Sequence, residues 1–295
     1  MAPYQQYLLN TGLGAGTPLV QAEDNHGDFL LGDFDGDGIP DLYFIKRRNT
    51  GSKMIEVHVL SGQSNYGKFI EHHGTALVQA EDSNGSFALG YNVGDGVSDL
   101  YFIKRRNTGS KMIEVHVLTG RSQFANRTGH VTSLVQAEDN NGDFLVGDFD
   151  RDGIPDLFFI KRRNTGSKTI EVHVLSGSSQ YKNFILHHGT SLVQAEDNNG
   201  DYALADLDRD GVSDLYFIKK RNTGTKTIEV HVLSGRSQYM NFIQHAGTAF
   251  SAGSALNGDF PIADFDRDGI PDLYFIERRP VGIKSIEVEI LAGSG

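Results

Sequence analysis

A nine-residue pattern, Asp-x-Asp-x-Asp-Gly-x-x-Asp, occurs four times at nearly constant spacing. It begins at Asp33, Asp148, Asp206 and Asp264, so neighbouring starts lie 115, 58 and 58 residues apart. The first interval holds two periods, and at its middle stands a decayed copy, Tyr91-Asn92-Val93-Gly94-Asp95-Gly96-Val97-Ser98-Asp99. The chain is therefore five copies of one unit. A unit this short buries its apolar face only against its neighbours, which restricts the fold to repeat architectures.

Each unit carries four strand signals. In the first, Phe29-Leu30-Leu31-Gly32-Asp33 leads into the acidic loop and Leu42-Tyr43-Phe44-Ile45 leaves it. The turn Asn49-Thr50-Gly51-Ser52 precedes Ile55 to Leu60, a weaker strand follows around Tyr66 to Glu71, and Leu77 to Asp82 links to the next unit. Four short antiparallel strands per repeat describe a propeller blade. The residue before each loop is small (Gly32, Gly90, Gly147, Ala205, Ala263), which suits strands crowding around one axis. The last unit stops at its third strand, Ile286 to Leu291, while Tyr4-Gln5-Gln6-Tyr7-Leu8-Leu9 resembles the fourth strand Tyr239-Met240-Asn241-Phe242-Ile243-Gln244. An N-terminal strand can thus complete the last blade and remove an open sheet edge. The expected fold is an all-β, five-bladed β-propeller of four-stranded blades. It forms a single domain over 1–295, with repeats at about 19–76, 77–133, 134–191, 192–249 and 250–295 plus 1–18.

The loops have the chemistry of a hard cation site. Alternate carboxylates converge on one ion, the Gly permits the turn, the next residue offers a carbonyl, and the last Asp closes the cage; six to eight oxygens of this kind suit Ca²⁺ better than Mg²⁺. The expected ligands are Asp33, Asp35, Asp37, Ile39 and Asp41; Asp148, Asp150, Asp152, Ile154 and Asp156; Asp206, Asp208, Asp210, Val212 and Asp214; and Asp264, Asp266, Asp268, Ile270 and Asp272. Closure by an Asp at position nine, followed by strand sequence, rules out the helix–loop–helix calcium site, whose loop closes with a Glu at position twelve. Without a cation these clustered carboxylates would repel one another. The second unit keeps only Asp95 and Asp99, too few for a strong site. The formal charge of −11 disfavours nucleic acid and anionic membranes as partners, and four divalent ions would neutralise most of it. No apolar run approaches the ~20 residues of a membrane span. The first residues lack a signal peptide's basic and apolar regions, and there is no Cys. The expected location is cytoplasmic, or secreted without a signal peptide.

The segment Gly-Asp-Phe-Asp-x-Asp-Gly-Ile-Pro-Asp-Leu, beginning at Gly32 and Gly147, resembles the FG-GAP/VCBS repeat of integrin α-chain propellers and of microbial and fungal proteins. The continuation Phe-Ile-Lys-Arg-Arg-Asn-Thr-Gly-Ser-Lys and Glu-Val-His-Val-Leu-Ser-Gly is similar to repeats of mushroom propeller lectins. The resemblance implies a soluble, multivalent carbohydrate-binding protein (a lectin) with about four Ca²⁺ per chain and glycans or glycoproteins as partners. The alternative it leaves is an adhesive, protein-binding propeller. An enzyme is not expected, because nearly every acid is duplicated and no Ser/His/Asp or Cys/His arrangement is apparent.

Comparison among units points to a second set of residues, on the rim opposite the acidic loops. These are Glu23, Asp24, Arg48, Asn49 and His58; Glu81, Asp82, Arg106, Asn107 and His116; Glu138, Asp139, Arg163, Asn164 and His173; and Glu196, Asp197, Arg221, Asn222 and His231. The fifth unit loses them together: its linker reads Ala252-Gly253-Ser254-Ala255-Leu256, its turn Arg279-Pro280-Val281-Gly282, and Glu289 replaces the His. Joint loss suggests one sugar site per unit, with pairing between blades as the alternative. His72/His73 and His187/His188 read as surface residues because other units differ there. Tyr43, Tyr101, Phe158, Tyr216 and Tyr274 read as blade packing, and Lys46-Arg47-Arg48 as a solvated or ion-paired strand end.

Overall fold

The computed structural model describes residues 2–13, 16–23, 25–91, 96–253, 258–279, 282 and 284–295. Five antiparallel sheets account for every strand among them. Blade one comprises Gly27–Gly32, Asp41–Lys46, Met54–Leu60 and Phe69–Val78. Blade two comprises Gly85–Gly90, Asp99–Lys104, Met112–Leu118 and Arg127–Val135. Blade three has Gly142–Gly147, Asp156–Lys161, Thr169–Leu175 and Phe184–Val193. Blade four has Gly200–Ala205, Asp214–Lys219, Thr227–Leu233 and Phe242–Ser251. In blade five the first strand is split into Gly258–Asp259 and Ile262–Ala263, around Phe260 and Pro261. Asp272–Glu277 and Glu287–Leu291 follow. Tyr7–Asn10 then pairs antiparallel with Glu287–Leu291, so the N-terminal segment supplies the fourth strand.

That strand begins at Tyr7 rather than Tyr4, and the reason is local. Tyr4 belongs to the turn before the strand, with φ +59 like its counterparts Tyr66, Phe124, Tyr181 and Tyr239, and its ring is fully buried. The tyrosine hydroxyls at this position reach the end of the loop between strands one and two: Tyr66 donates to the Pro40 carbonyl at 2.9 Å and Tyr239 to that of Ser213 at 3.1 Å. One buried ring thereby fastens two turns of a blade together.

Second strands such as Leu42-Tyr43-Phe44-Ile45 are buried on both faces, because a neighbouring blade covers each. Fourth strands are largely exposed along one face. Five apolar clusters occupy the five junctions in turn: blades one–two, two–three, three–four, four–five and five–one. The ring is closed by packing as well as by strand pairing. Each buried Ile, Phe or Val contributes about 1.5–3 kcal/mol of transfer free energy. First strands contact one another around the axis. There a Cβ on Gly32 would meet Ser98 and Leu89 of the next blade at 2.9 and 3.0 Å, which explains the small residue read from the repeats.

Candidate functional site

Three groups of polar residues emerge: the acidic loops on one rim, an ion-paired belt on the other, and a ring of carboxylates at the mouth of the axis on the belt side.

In the loops, the glycines at Gly38, Gly153, Gly211 and Gly269 adopt φ of +81 to +84, which turns the chain back over its own carboxylates. Their amides donate to Asp33, Asp148, Asp206 and Asp264 at 2.8–3.0 Å. The amides of Ile39, Ile154, Val212 and Ile270 donate to Asp37, Asp152, Asp210 and Asp268 at 2.7–2.9 Å. Carboxylate oxygens converge within 4.8 Å in Asp33/Asp35/Asp37, Asp148/Asp150/Asp156, Asp206/Asp208/Asp210 and Asp264/Asp266/Asp272. One buried oxygen in each loop (Asp37 Oδ2, Asp148 Oδ1, Asp210 Oδ2, Asp264 Oδ1) has no protein hydrogen-bond partner. An orphaned, buried, all-oxygen donor set fits a hard cation. Val93 and Asp95 of the decayed loop lie outside the described residues.

The closing Asp has a second task. Asp41 is fully buried, and its two oxygens accept from Phe34 N and Gly62 N at 2.8 Å each, joining the loop to the strand three–four turn. Asp156, Asp214 and Asp272 repeat both bonds. Burial outweighs these donors and pushes all four carboxyls up to about 6. In blade two, Asp99 still accepts from Gly120 N at 2.9 Å. A bracing role accounts for the survival of this Asp where the rest of the loop has decayed.

On the other rim, the residues expected to bind sugar largely bind one another. Glu23, Glu81, Glu138 and Glu196 pair with Lys46, Lys104, Lys161 and Lys219 at 2.8–3.0 Å. Arg48, Arg106 and Arg163 reach into the following blade to Asp82, Asp139 and Asp197 at 2.5–2.6 Å. Arg221 instead donates to the Asn198 carbonyl at 3.0 Å. Asn107, Asn164 and Asn222 donate to Asn84, Asn141 and Asn199, and Asn49 meets His26. His58, His116, His173 and His231 sit 3.2–3.4 Å from Glu56, Glu114, Glu171 and Glu229, farther out on the blades. Asp24 and residues 254–256, 280 and 281 lie outside the described residues.

The axial ring is the feature that sequence reading missed. The second residue of each first strand is Asp28, Ser86, Asp143, Asp201 or Asp259, and three of these, Asp28, Asp201 and Asp259, face the mouth of the axis. Four of the five are acids, each held by a cation from its own blade. Arg47–Asp28 and Arg162–Asp143 lie at 3.2 Å, Lys220–Asp201 at 2.5 Å and Arg278–Asp259 at 2.6 Å. Asp28, Asp201 and Asp259 line an axial cavity of about 300 Å³ together with Phe29, Tyr202, Phe260 and Arg278. Loss of bulk water raises the carboxyls of Asp28, Asp143 and Asp259 in spite of their guanidinium partners. Neighbouring acids add to the rise, Asp259 on Asp28 and Asp201 on both Asp143 and Asp259. The signal in sequence is a Gly-Asp-aromatic triplet opening four of the five units, visible as a site only once the blades share an axis.

No protein-family model matches the sequence, and no curated protein matches it. Solved structures do. The chain is similar to an exo-β-1,3-galactanase from Clostridium thermocellum (13% identity, TM-score 0.51), covering 94% of this chain and 60% of that one. It is similar to an endo-arabinase from Bacteroides thetaiotaomicron (14%, TM-score 0.53; 95% and 97% covered). A GH43_1 enzyme from Xanthomonas citri, solved with xylotriose, gives 13% identity and TM-score 0.54 over 94% and 87%. These neighbours are carbohydrate-cleaving propellers rather than FG-GAP or VCBS-repeat proteins or fungal lectins. They stand against two expectations, that the chain is a calcium lectin and that it is no enzyme; that reading did not weigh the axial carboxylates. At such low identity the likeness itself establishes the five-bladed β-propeller.

Proposed function

We propose that the chain is a carbohydrate-active enzyme that hydrolyses glycosidic bonds at the axial mouth. The observation that carries this reading is the convergence of Asp28, Asp201 and Asp259 on one cavity, in a fold whose solved neighbours cleave glycans. Glycoside hydrolysis needs one protonated carboxyl to deliver a proton to the leaving oxygen and one carboxylate to activate water or attack the sugar. Asp259 and Asp201, both on the cavity wall beside a cation, are the pair offered for these two roles. Phe260 and Tyr202 offer apolar walls to a sugar ring, and Ser86 leaves one gap in the otherwise charged ring. The test is release of reducing sugar from β-1,3-galactan, arabinan and xylan. Asp259→Asn should lower kcat by about 10²-fold or more while the thermal transition persists. Failure of the wild-type protein to cleave any of the three, or an unaffected Asp259→Asn variant, contradicts the reading.

We further propose Ca²⁺ as a structural ion in the four acidic loops, with blade two lacking a site. The orphaned loop oxygens and the spacing of the four loop carboxylates support this. Metal analysis of calcium-equilibrated protein should return four ions, and Asp150→Ala should reduce the count to three; five equal sites, or none, would overturn it.

A further inference from the structure

Strands three and four of a blade lie directly opposite each other, and in three blades they bring two histidines face to face. His58 opposes His72, His173 opposes His187 and His231 opposes His245 in the antiparallel register. Directly opposite residues hold their Cβ atoms about 4.5–5.5 Å apart, a spacing that lets two imidazoles share one ion. In blades three and four the rings meet Nδ1 to Nδ1, at 2.9 and 2.7 Å. The far nitrogen of each strand-three ring, Nε2, lies 3.2 Å from Glu171 and Glu229. Those carboxylates are themselves anchored, Glu229 by the amide and hydroxyl of Thr225 at 2.9 and 2.8 Å. Glu56, His58 and His72 of blade one likewise place donor atoms within 4.8 Å of one another.

We propose that these His pairs are sites for a borderline divalent cation such as Zn²⁺, separate from the acidic loops. The strand-three and strand-four imidazoles bind through Nδ1, and the Glu two residues before the strand-three His accepts its Nε2–H. A carboxylate on the outer nitrogen fixes the tautomer and makes the inner nitrogen a better donor, and imidazole suits Zn²⁺, Cu²⁺ and Ni²⁺ where an all-oxygen loop suits Ca²⁺. The strand-three ring is buried or half-buried while the strand-four ring is exposed, so one ligand is fixed by packing and the other faces the solvent from which an ion arrives. Two blades serve as natural controls. In blade two His116 opposes Gly129, and its buried Nδ1 has no hydrogen-bond partner. In blade five Glu289 opposes Asn10.

The test is Zn²⁺ titration of the intact protein by calorimetry with Ca²⁺ in excess, so that the acidic loops do not report. Three sites per chain are expected. His72→Ala, His187→Ala and His245→Ala should each remove one, and His116→Ala none. Because the strand-four rings are exposed, these variants should keep the wild-type thermal transition. Glu229→Gln should weaken its site by about tenfold or more. Absence of Zn²⁺ binding, or a stoichiometry unchanged in the triple histidine variant, overturns the proposal.

Discussion

Blade two and blade five are each defective, in opposite ways. Blade two has lost two of its four loop carboxylates, with Tyr91 and Val93 standing in their places, yet keeps Glu81 on Lys104 and Arg106 on Asp139. Blade five keeps a complete loop, with Asp272 bracing Phe265 and Gly293, but carries neither the linker acids nor the Asn-Thr turn. Both still pack as blades. The two rims are therefore separable: each can lose its polar equipment without the other, because the apolar junctions carry the ring. Blade five also retains Asp259 and Arg278 at the axis, so the axial ring does not follow the belt either.

The widest gap between the rims should appear on removing metal. If Ca²⁺ occupies the loops at 100 times its Kd, each ion adds about 2.7 kcal/mol to stability, so chelation should lower the melting temperature more than any single substitution outside the core. An unchanged transition in chelator would make the ions incidental. Next in size is Asp99→Ala. This blade's loop keeps only two of the four carboxylates, so on the proposal above the variant isolates bracing from metal binding. Leaving the buried Gly120 amide unpartnered should cost about 1–3 kcal/mol in denaturant unfolding while the calcium count stays the same. A changed count would mean that Asp99 is a ligand after all.

The belt should matter less to stability. The Arg163 side chain is 45% exposed, and exposed pairs contribute about 0.2–1 kcal/mol; Arg163→Ala should shift the unfolding midpoint only slightly, and less at high salt. A loss of several kcal/mol would make the belt, rather than the apolar junctions, the closure of the ring. Smaller still is a pH effect at the axis. Folding raises the Asp28 and Asp259 carboxyls, so their contribution to stability is full below the unfolded carboxyl pKa and is lost as pH rises through the folded value. Asparagine has no such dependence. The stability of Asp259→Asn relative to wild type should thus be more favourable at pH 7 than at pH 4, and the opposite slope would contradict confinement as the cause.

Most of the fold was legible because repetition exposes it. The period, the small residue before each loop and the likeness of Tyr4–Leu9 to Tyr239–Gln244 together specify five blades and their closure. Positions within one blade were legible too, as with the loop acids. Harder to read was what depends on one blade meeting another or one strand facing the next, where pairing between blades stood only as an alternative to a sugar site. Asp28 and Asp259 are 231 residues apart in sequence and share a cavity only because the ring closes. Arg48 finds Asp82 across a junction. His187 reads as half of a surface pair with His188, whereas its partner is His173 on the adjoining strand.

The central claim is that chemistry belongs to the axis and stability to the loops. It is tested most directly by assaying glycan cleavage in calcium for three proteins side by side: wild type, Asp259→Asn and Asp150→Ala. The account predicts turnover by wild type, near-complete loss in Asp259→Asn with its melting temperature retained, and turnover kept in Asp150→Ala with its melting temperature lowered. Loss of turnover in Asp150→Ala without unfolding, or turnover undiminished in Asp259→Asn, would contradict it.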